Sequence, residues 1–260
     1  MREKIIETLE AEAERHDCRV LFSVESGSRA WGFASPDSDY DVRAVYVRPL
    51  DWYLGLEKGL ADTWNAMLPD ALDIAAWDLR KFLRQFLKSN ASILEWLGSQ
   101  IVYSDCGLIG VLKGLVDRVF NPTHVSYHYA SMFRHAAADR GEDGTISVKK
   151  LCYALRASAA VAWVRERETM PPTDFASVLE GIRLSADEVA AIGELLARKS
   201  RAAEKDRIQP DARLDRLLGD RYDELASARY RRTLPPVDAT RKMLEAVFRQ
   251  YVLDARWLDR

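Results

Sequence analysis

The chain has 260 residues, of which 30% are charged, and a formal net charge of −2. That length supports a full hydrophobic core with room for two lobes, while the near-neutral charge excludes a whole-protein field that gathers nucleic acid. No apolar run approaches a membrane span, and the charged, amphipathic start from Met1 to Glu7 does not read as a signal peptide, so a cytoplasmic protein is expected.

Residues 2 to 16 carry helical periodicity, and residues 19 to 25 then predict a buried strand. The chain breaks at Gly27-Ser28, where a short helix can begin with its N-terminal amides exposed. Those amides and the Ser28 hydroxyl suit an anionic phosphate. Pro36-Asp37-Ser38 reads as a turn, and residues 40 to 48 predict a second strand. Side chains alternate along a strand, so Asp39 and Asp41 point to one face. Two crowded carboxylates make physical sense chiefly around a cation, and hard oxygens at short spacing favour Mg²⁺ shared with substrate phosphates. An Asp-x-Asp alone is common in surface turns; the Gly-Ser turn a short loop upstream is what adds specificity.

A third strand is expected over 71 to 77, where Asp73 interrupts the apolar run Leu72 to Ala76. Its alternative is a strand-end aspartate paired with an arginine. Asp78 precedes Leu79-Arg80-Lys81-Phe82-Leu83 and fits the N-cap of the next helix. Nearly everything after it has helical periodicity.

A helix over 123 to 138, behind Pro122-Thr123, brings His124, His128 and His135 to one face. Zinc would want a further ligand that the sequence does not show, so packing is the simpler reading beside metal binding and nucleotide contact. Arg140 to Gly144 forms a turn or hinge, and Met170 to Thr173 and Leu234-Pro235-Pro236 mark later breaks. In the helix from Ser147, Lys150, Tyr153 and Arg156 share a face; the plain alternative is an amphipathic helix with solvated lysines. Arg156, flanked by Leu155 and the run from Ala157 to Val164, is expected to emerge from a buried stretch toward an anionic partner.

The basic runs Arg198-Lys199-Ser200-Arg201 and Arg229-Tyr230-Arg231-Arg232 read as solvated helix faces. A last amphipathic helix over 237 to 257 places Val247, Tyr251 and Leu258 to dock on this body or on a partner's. Cys18, Cys106 and Cys152 are odd in number, far apart and without CxxC spacing, as expected of reduced thiols. Strands early and helices late give an α+β fold: a small mixed sheet backed by helices over 1 to 120, then a mostly helical domain over 121 to 260.

The run Glu25-Ser26-Gly27-Ser28-Arg29-Ala30-Trp31-Gly32-Phe33, followed by Asp37-Ser38-Asp39-Tyr40-Asp41-Val42-Arg43, resembles the signature of the DNA polymerase beta-type nucleotidyltransferase superfamily. Within it, the run resembles the RNA-ligase-associated predicted nucleotidyltransferases. Asp51-Trp52-Tyr53-Leu54, Leu72-Asp73-Ile74, Trp77 to Lys81, Leu94-Glu95-Trp96-Leu97, Tyr127-His128-Tyr129 and Lys149 to Arg156 are similar to that family's blocks. Coverage runs from about residue 15 to about 205, and Ala91 and Ala157 depart from prolines often seen in members.

The resemblance implies transfer of a nucleoside monophosphate from a nucleoside triphosphate, ATP among them, to a hydroxyl, with release of pyrophosphate. It implies two Mg²⁺ ions, with Mn²⁺ as the alternative, bridged by Asp39 and Asp41. Asp73 would be the third carboxylate, beside the acceptor hydroxyl and able to take its proton. Gly27 would let the backbone approach the triphosphate and Ser28 would donate to it. Lys150, Tyr153 and Arg156 would reach triphosphate and base. Arg29 and Arg43 are candidates either for phosphate contact or for neutralising the aspartates. Glu25 is a candidate for bonding the turn amides or an arginine, or for catalysis, and Trp31 and Phe33 for packing the loop or stacking on a base. The acceptor is an RNA end or another hydroxyl; a protein-modifying transferase of a two-component pair and a non-catalytic nucleotide-binding module are the other readings. No membrane partner is implied, and no protein partner is specified.

Overall fold

The structure, a computed structural model, describes all residues except 57–60, 69–70, 202, 204–205, 226–236 and 255–260, and the backbone alone at 220–225. In chain order, α1 (Arg2–Arg15), β1 (Arg19–Glu25), α2 (Gly27–Ala30), β2 (Tyr40–Val47), α3 (Leu50–Leu54), β3 (Thr63–Leu68) and β4 (Leu72–Asp78) come first. They are followed by α4 (Leu79–Leu87), α5 (Ala91–Gly98), β5 (Val102–Asp105), α6 (Leu108–Lys113) and α7 (Val116–Val119). The rest of the chain forms α8 (Pro122–Ala137), β6 (Ile146–Ser147), α9 (Val148–Arg167), α10 (Phe175–Glu180), α11 (Ala186–Lys199), β7 (Arg207–Ile208), α12 (Ala212–Leu225) and α13 (Val237–Val252). This is an α+β fold, and the chain divides into two compact units.

Unit 1 comprises Met1–Ser26, Asp39–Val119 and Leu234–Arg260. Its mixed five-stranded sheet runs β3-β4-β2-β1-β5, with β2 and β4 parallel and the other neighbours antiparallel. Alternation along β2 and β4 sends Val42, Ala44, Tyr46, Leu72, Ile74 and Ala76 into one core, where α1 adds Ile5, Leu9 and Ala13 at helical spacing. On another side, Phe82 of α4 meets Phe22 of β1 edge-on at 5.6 Å, and Trp96 of α5 meets Trp77 of β4 at 5.1 Å. Burial of Phe22, Phe82 and Trp96 stabilises the fold by roughly 1.5–3 kcal/mol each, while Trp77 is half-buried.

Unit 2 comprises Gly27–Ser38 and Phe120–Thr233. Its centre is α9, capped by Ser147 and buried along Leu151, Cys152, Leu155 and Ala159, with α8, α10, α11 and α12 contributing to one core. Trp31 and Phe33 belong to that core: Phe33 packs edge-on to Phe175 at 5.8 Å, and the Phe175 amide donates to the Trp31 carbonyl.

The division differs from a single cut at residue 120 for two physical reasons. Residues 27–38 join unit 2 through the burial of Trp31 and Phe33. In unit 1, α13 docks on this body rather than a partner's, burying Leu244, Val247 and Tyr251 and setting Phe248 edge-on to Tyr53 at 5.2 Å, beside the Arg80 guanidinium. Leu258, Leu234-Pro235-Pro236 and the Arg229 to Arg232 run lie outside the described residues. Among the described residues four strands depart from the sequence reading: β3, and β5, β6 and β7 within the stretch that read as helical. Nor is the 198–201 run a solvated face throughout. Lys199 is 3% exposed, and its ammonium donates to Ser35 Oγ at 2.7 Å.

Candidate active site

The parallel ladder between β2 and β4 places Asp41 beside Asp73, Val42 beside Ile74 and Arg43 beside Ala75. Because Val42 and Ile74 fill the core, the residues between them turn to the other face of the sheet. Asp41 and Asp73 thus share a face by register, and Arg43 lies on the same face one pleat further along. The Arg43 guanidinium joins them, with Nη2 at 3.1 Å from Asp41 Oδ1 and 2.9 Å from Asp73 Oδ2. Nη1 donates to the carbonyls of Val42 at 3.0 Å and Asp73 at 3.3 Å. Asp73 is thus paired with an arginine, and Arg43 neutralises the aspartates.

This geometry bears on whether the residues suit a divalent cation. Two carboxylates from neighbouring strands converge on one positive centre, and both are only partly exposed, at 26% and 28%. Hard oxygens converging in this way fit Mg²⁺ or Mn²⁺. Asp39 stands one residue before β2 and is exposed. Among the described residues no group of three His, Cys, Asp or Glu side chains is gathered for a metal. Of the three aspartates named from sequence, the Arg43 guanidinium brings Asp41 and Asp73 together.

Glu25 has a place that the sequence does not reveal. It is wholly buried at the end of β1, where Oε1 accepts the Asp41 amide at 2.7 Å and Oε2 accepts the Tyr103 hydroxyl from β5. The Ser99 hydroxyl donates to the Glu25 carbonyl at 2.7 Å, and the Ser26 amide donates to the Asp41 carbonyl at 2.8 Å. The backbone of Asp41 is fixed on both its amide and its carbonyl.

Asp78 caps α4, accepting the Arg80 amide at 2.8 Å and the Tyr53 hydroxyl at 2.5 Å. Burial pushes its carboxyl above the ordinary carboxylate value, against the pull of those bonds. Its role is structural, as the sequence indicates.

The other candidates lie in unit 2. Gly27 opens α2 at φ 59°, a left-handed conformation that favours glycine. Ser28 is buried, and Arg29 donates to the Ser38 carbonyl at 2.7 Å, closing the turn before Asp39. Lys150 is half-buried on the first turn of α9, its amide capped by Ser147. Tyr153 packs edge-on to Trp31 at 4.9 Å and lies 6.2 Å from Phe33, so both loop aromatics are packing residues. Arg156 does not emerge from its buried stretch. It is 0% exposed, its guanidinium lies 4.2 Å from the Trp31 ring centre, and it donates to the Thr173 carbonyl at 3.1 Å. A ring face and a carbonyl thus receive a guanidinium that the sequence directed toward an anion.

On α8, His124 and His135 are exposed, while His128 is half-buried and edge-on to Tyr129 at 5.5 Å. The cysteines are free thiols; burial pushes Cys18 up to about 11 and Cys152 up to about 12, and raises the half-buried Cys106 as well.

The profile of the RNA repair pathway DNA polymerase beta family matches residues 1–250. Uncharacterized protein YcgL of Bacillus subtilis (strain 168) is 38% identical over 216 residues, which is 83% of this chain and 82% of that protein. A crystal structure of a nucleotidyltransferase-like protein from Exiguobacterium sibiricum 255-15 aligns over 99% of this chain and 78% of that one. The two chains are 14% identical, with a TM-score of 0.31.

Proposed function

Because this chain belongs to the RNA repair pathway DNA polymerase beta family, whose members are nucleotidyltransferases by superfamily, we propose that it transfers a nucleoside monophosphate from a nucleoside triphosphate to a hydroxyl acceptor, foremost an RNA end. The observation that carries the reading is the register that sets Asp41 beside Asp73 with both carboxylates turned to one cationic centre.

Asp41 and Asp73 would hold the divalent cation, with Asp39 supplying a further carboxylate at the mouth of β2. Bound there, two Mg²⁺ ions, or Mn²⁺ in their place, supply neutralisation of the charge that develops on the phosphates. Asp73 takes the acceptor's proton as the acceptor oxygen bonds to the α-phosphorus and the bond to the β-phosphate breaks, sending the electron pair out with pyrophosphate. Glu25 keeps Asp41 in place by holding its amide. Within unit 2, Gly27, Ser28, Arg29, Lys150 and Tyr153 are the proposed nucleotide contacts, with Arg156 set against the Trp31 ring.

The test is incubation with each α-³²P-labelled nucleoside triphosphate, Mg²⁺ or Mn²⁺, and tRNA, short RNA or protein acceptors. Label is expected on RNA, falling by about 100-fold or more in Asp39→Ala and Asp41→Ala variants. Label that persists in both variants refutes the site, and label on protein alone refutes the RNA acceptor.

A further inference from the structure

Arg43 does nothing in the transfer as described, yet it occupies the centre of the carboxylate pair. Its guanidinium reaches four acceptors: Asp41 Oδ1 at 3.1 Å, Asp73 Oδ2 at 2.9 Å, and the carbonyls of Val42 at 3.0 Å and Asp73 at 3.3 Å. The side chain is 18% exposed, so the cation is held against the sheet rather than waving in solvent. A guanidinium keeps its charge at any pH a folded protein meets. The two aspartates, one on β2 and one on β4, are thus supplied with a permanent counter-ion from β2.

A divalent cation arriving alone would break two charge-assisted hydrogen bonds and leave the guanidinium beside a second positive charge. The same cation arriving on a triphosphate brings phosphate oxygens, which match the planar fork of an arginine. The exchange is then balanced: each carboxylate trades one cation for another, and the guanidinium trades carboxylates for phosphate. Resting on the metal-dependent transfer proposed above, we propose that Arg43 is the resident counter-ion of the Asp41–Asp73 pair, excluding free divalent cations and making metal uptake depend on bound nucleoside triphosphate. It acts through the carboxylates and is a positioning residue.

The experiment is titration of Mn²⁺ into the full chain, free ion being read by electron paramagnetic resonance, with and without a non-hydrolysable triphosphate analogue. Wild type is compared with Arg43→Gln, which keeps a planar amide and removes the charge. Without nucleotide the variant is expected to bind Mn²⁺ about tenfold more tightly; with nucleotide the two affinities should converge. Thermal unfolding adds a readout independent of turnover: Mn²⁺ alone should raise the Tm of the variant more than that of wild type. Should Arg43→Gln fail to fold, Arg43→Lys retains the charge without the fork and should bind Mn²⁺ alone more tightly than wild type. Equal nucleotide-free affinity in wild type and the folded variant overturns the proposal and leaves the transferase reading standing. Absence of Mn²⁺ binding from every protein, with nucleotide present, overturns both.

Discussion

A carboxylate sealed from solvent must be met by donors, and the donors that meet Glu25 also determine where Asp41 stands. Glu25 receives the Asp41 amide on one oxygen and the Tyr103 hydroxyl on the other. Removing the hydroxyl takes a hydrogen bond from a buried carboxyl oxygen, and such a loss costs about 1–3 kcal/mol. Tyr103→Phe should lower unfolding free energy by about that much in urea titration. Tyr127→Phe, on a side chain 70% exposed, should stay within about 0.5 kcal/mol of wild type. Equal costs for the two would show that the Glu25 clamp contributes nothing. The transfer rate should also fall in Tyr103→Phe, because the loosened amide belongs to a residue proposed to hold the cation. Sequence reading could not reach this pair, since Glu25 and Tyr103 are 78 positions apart and meet only once β5 joins the edge of the sheet.

Among the elements, the start of α4 shows how a cap can carry a pH signature. Asp78 caps the helix from a buried position that raises its carboxyl above 3.8, so the native state binds that proton more readily than the unfolded chain does. The linkage sign follows: Asp78 weakens the fold fully above its raised native value, and the penalty fades as pH falls toward 3.8. Asp78→Asn keeps an oxygen for the Arg80 amide but has no charge to desolvate. Its stability relative to wild type should therefore improve as pH rises from about 4 to about 7 in parallel urea titrations, whatever fixed cost the weakened Tyr53 bond adds. Profiles that run parallel would rule out a raised Asp78. The cap itself was legible, as were β1, β2 and β4, because aspartate before an apolar helical run and apolar alternation are local patterns. β5 was not, being four residues on a sheet edge, and neither was β3, whose Met67 points outward where a strand reading wants burial. Asp39 and Asp41 were legible by their spacing, whereas the meeting of Asp41 with Asp73 was not, because it depends on the parallel register. Lys199 read as solvated because its partner, Ser35, lies 164 positions away.

At the scale of the whole chain, each unit carries its own thiol reporter: Cys18 in the core of unit 1 and Cys152 in that of unit 2. Burial pushes these thiols up to about 11 and about 12, so near neutral pH both are protonated and covered. Alkylation should be slow at both until the surrounding core opens, while the half-buried Cys106 reacts first. That separation permits a test of where the C-terminal helix belongs. α13 buries Thr240, Leu244, Val247, Tyr251 and Val252, and at roughly 1.5–3 kcal/mol for each large side chain its loss should cost unit 1 several kcal/mol. A chain ending before Val237 should therefore alkylate Cys18 at lower urea than the full chain in pulsed labelling read by mass spectrometry. The Cys152 curve provides the reference for unit 2. If truncation lowered the Cys152 midpoint as much as the Cys18 midpoint, α13 would not be a part of unit 1 in the energetic sense. A shift confined to Cys18 would instead make the last helix a support for the sheet that carries Asp41, Arg43 and Asp73, and its removal should then also weaken nucleotide-dependent Mn²⁺ uptake.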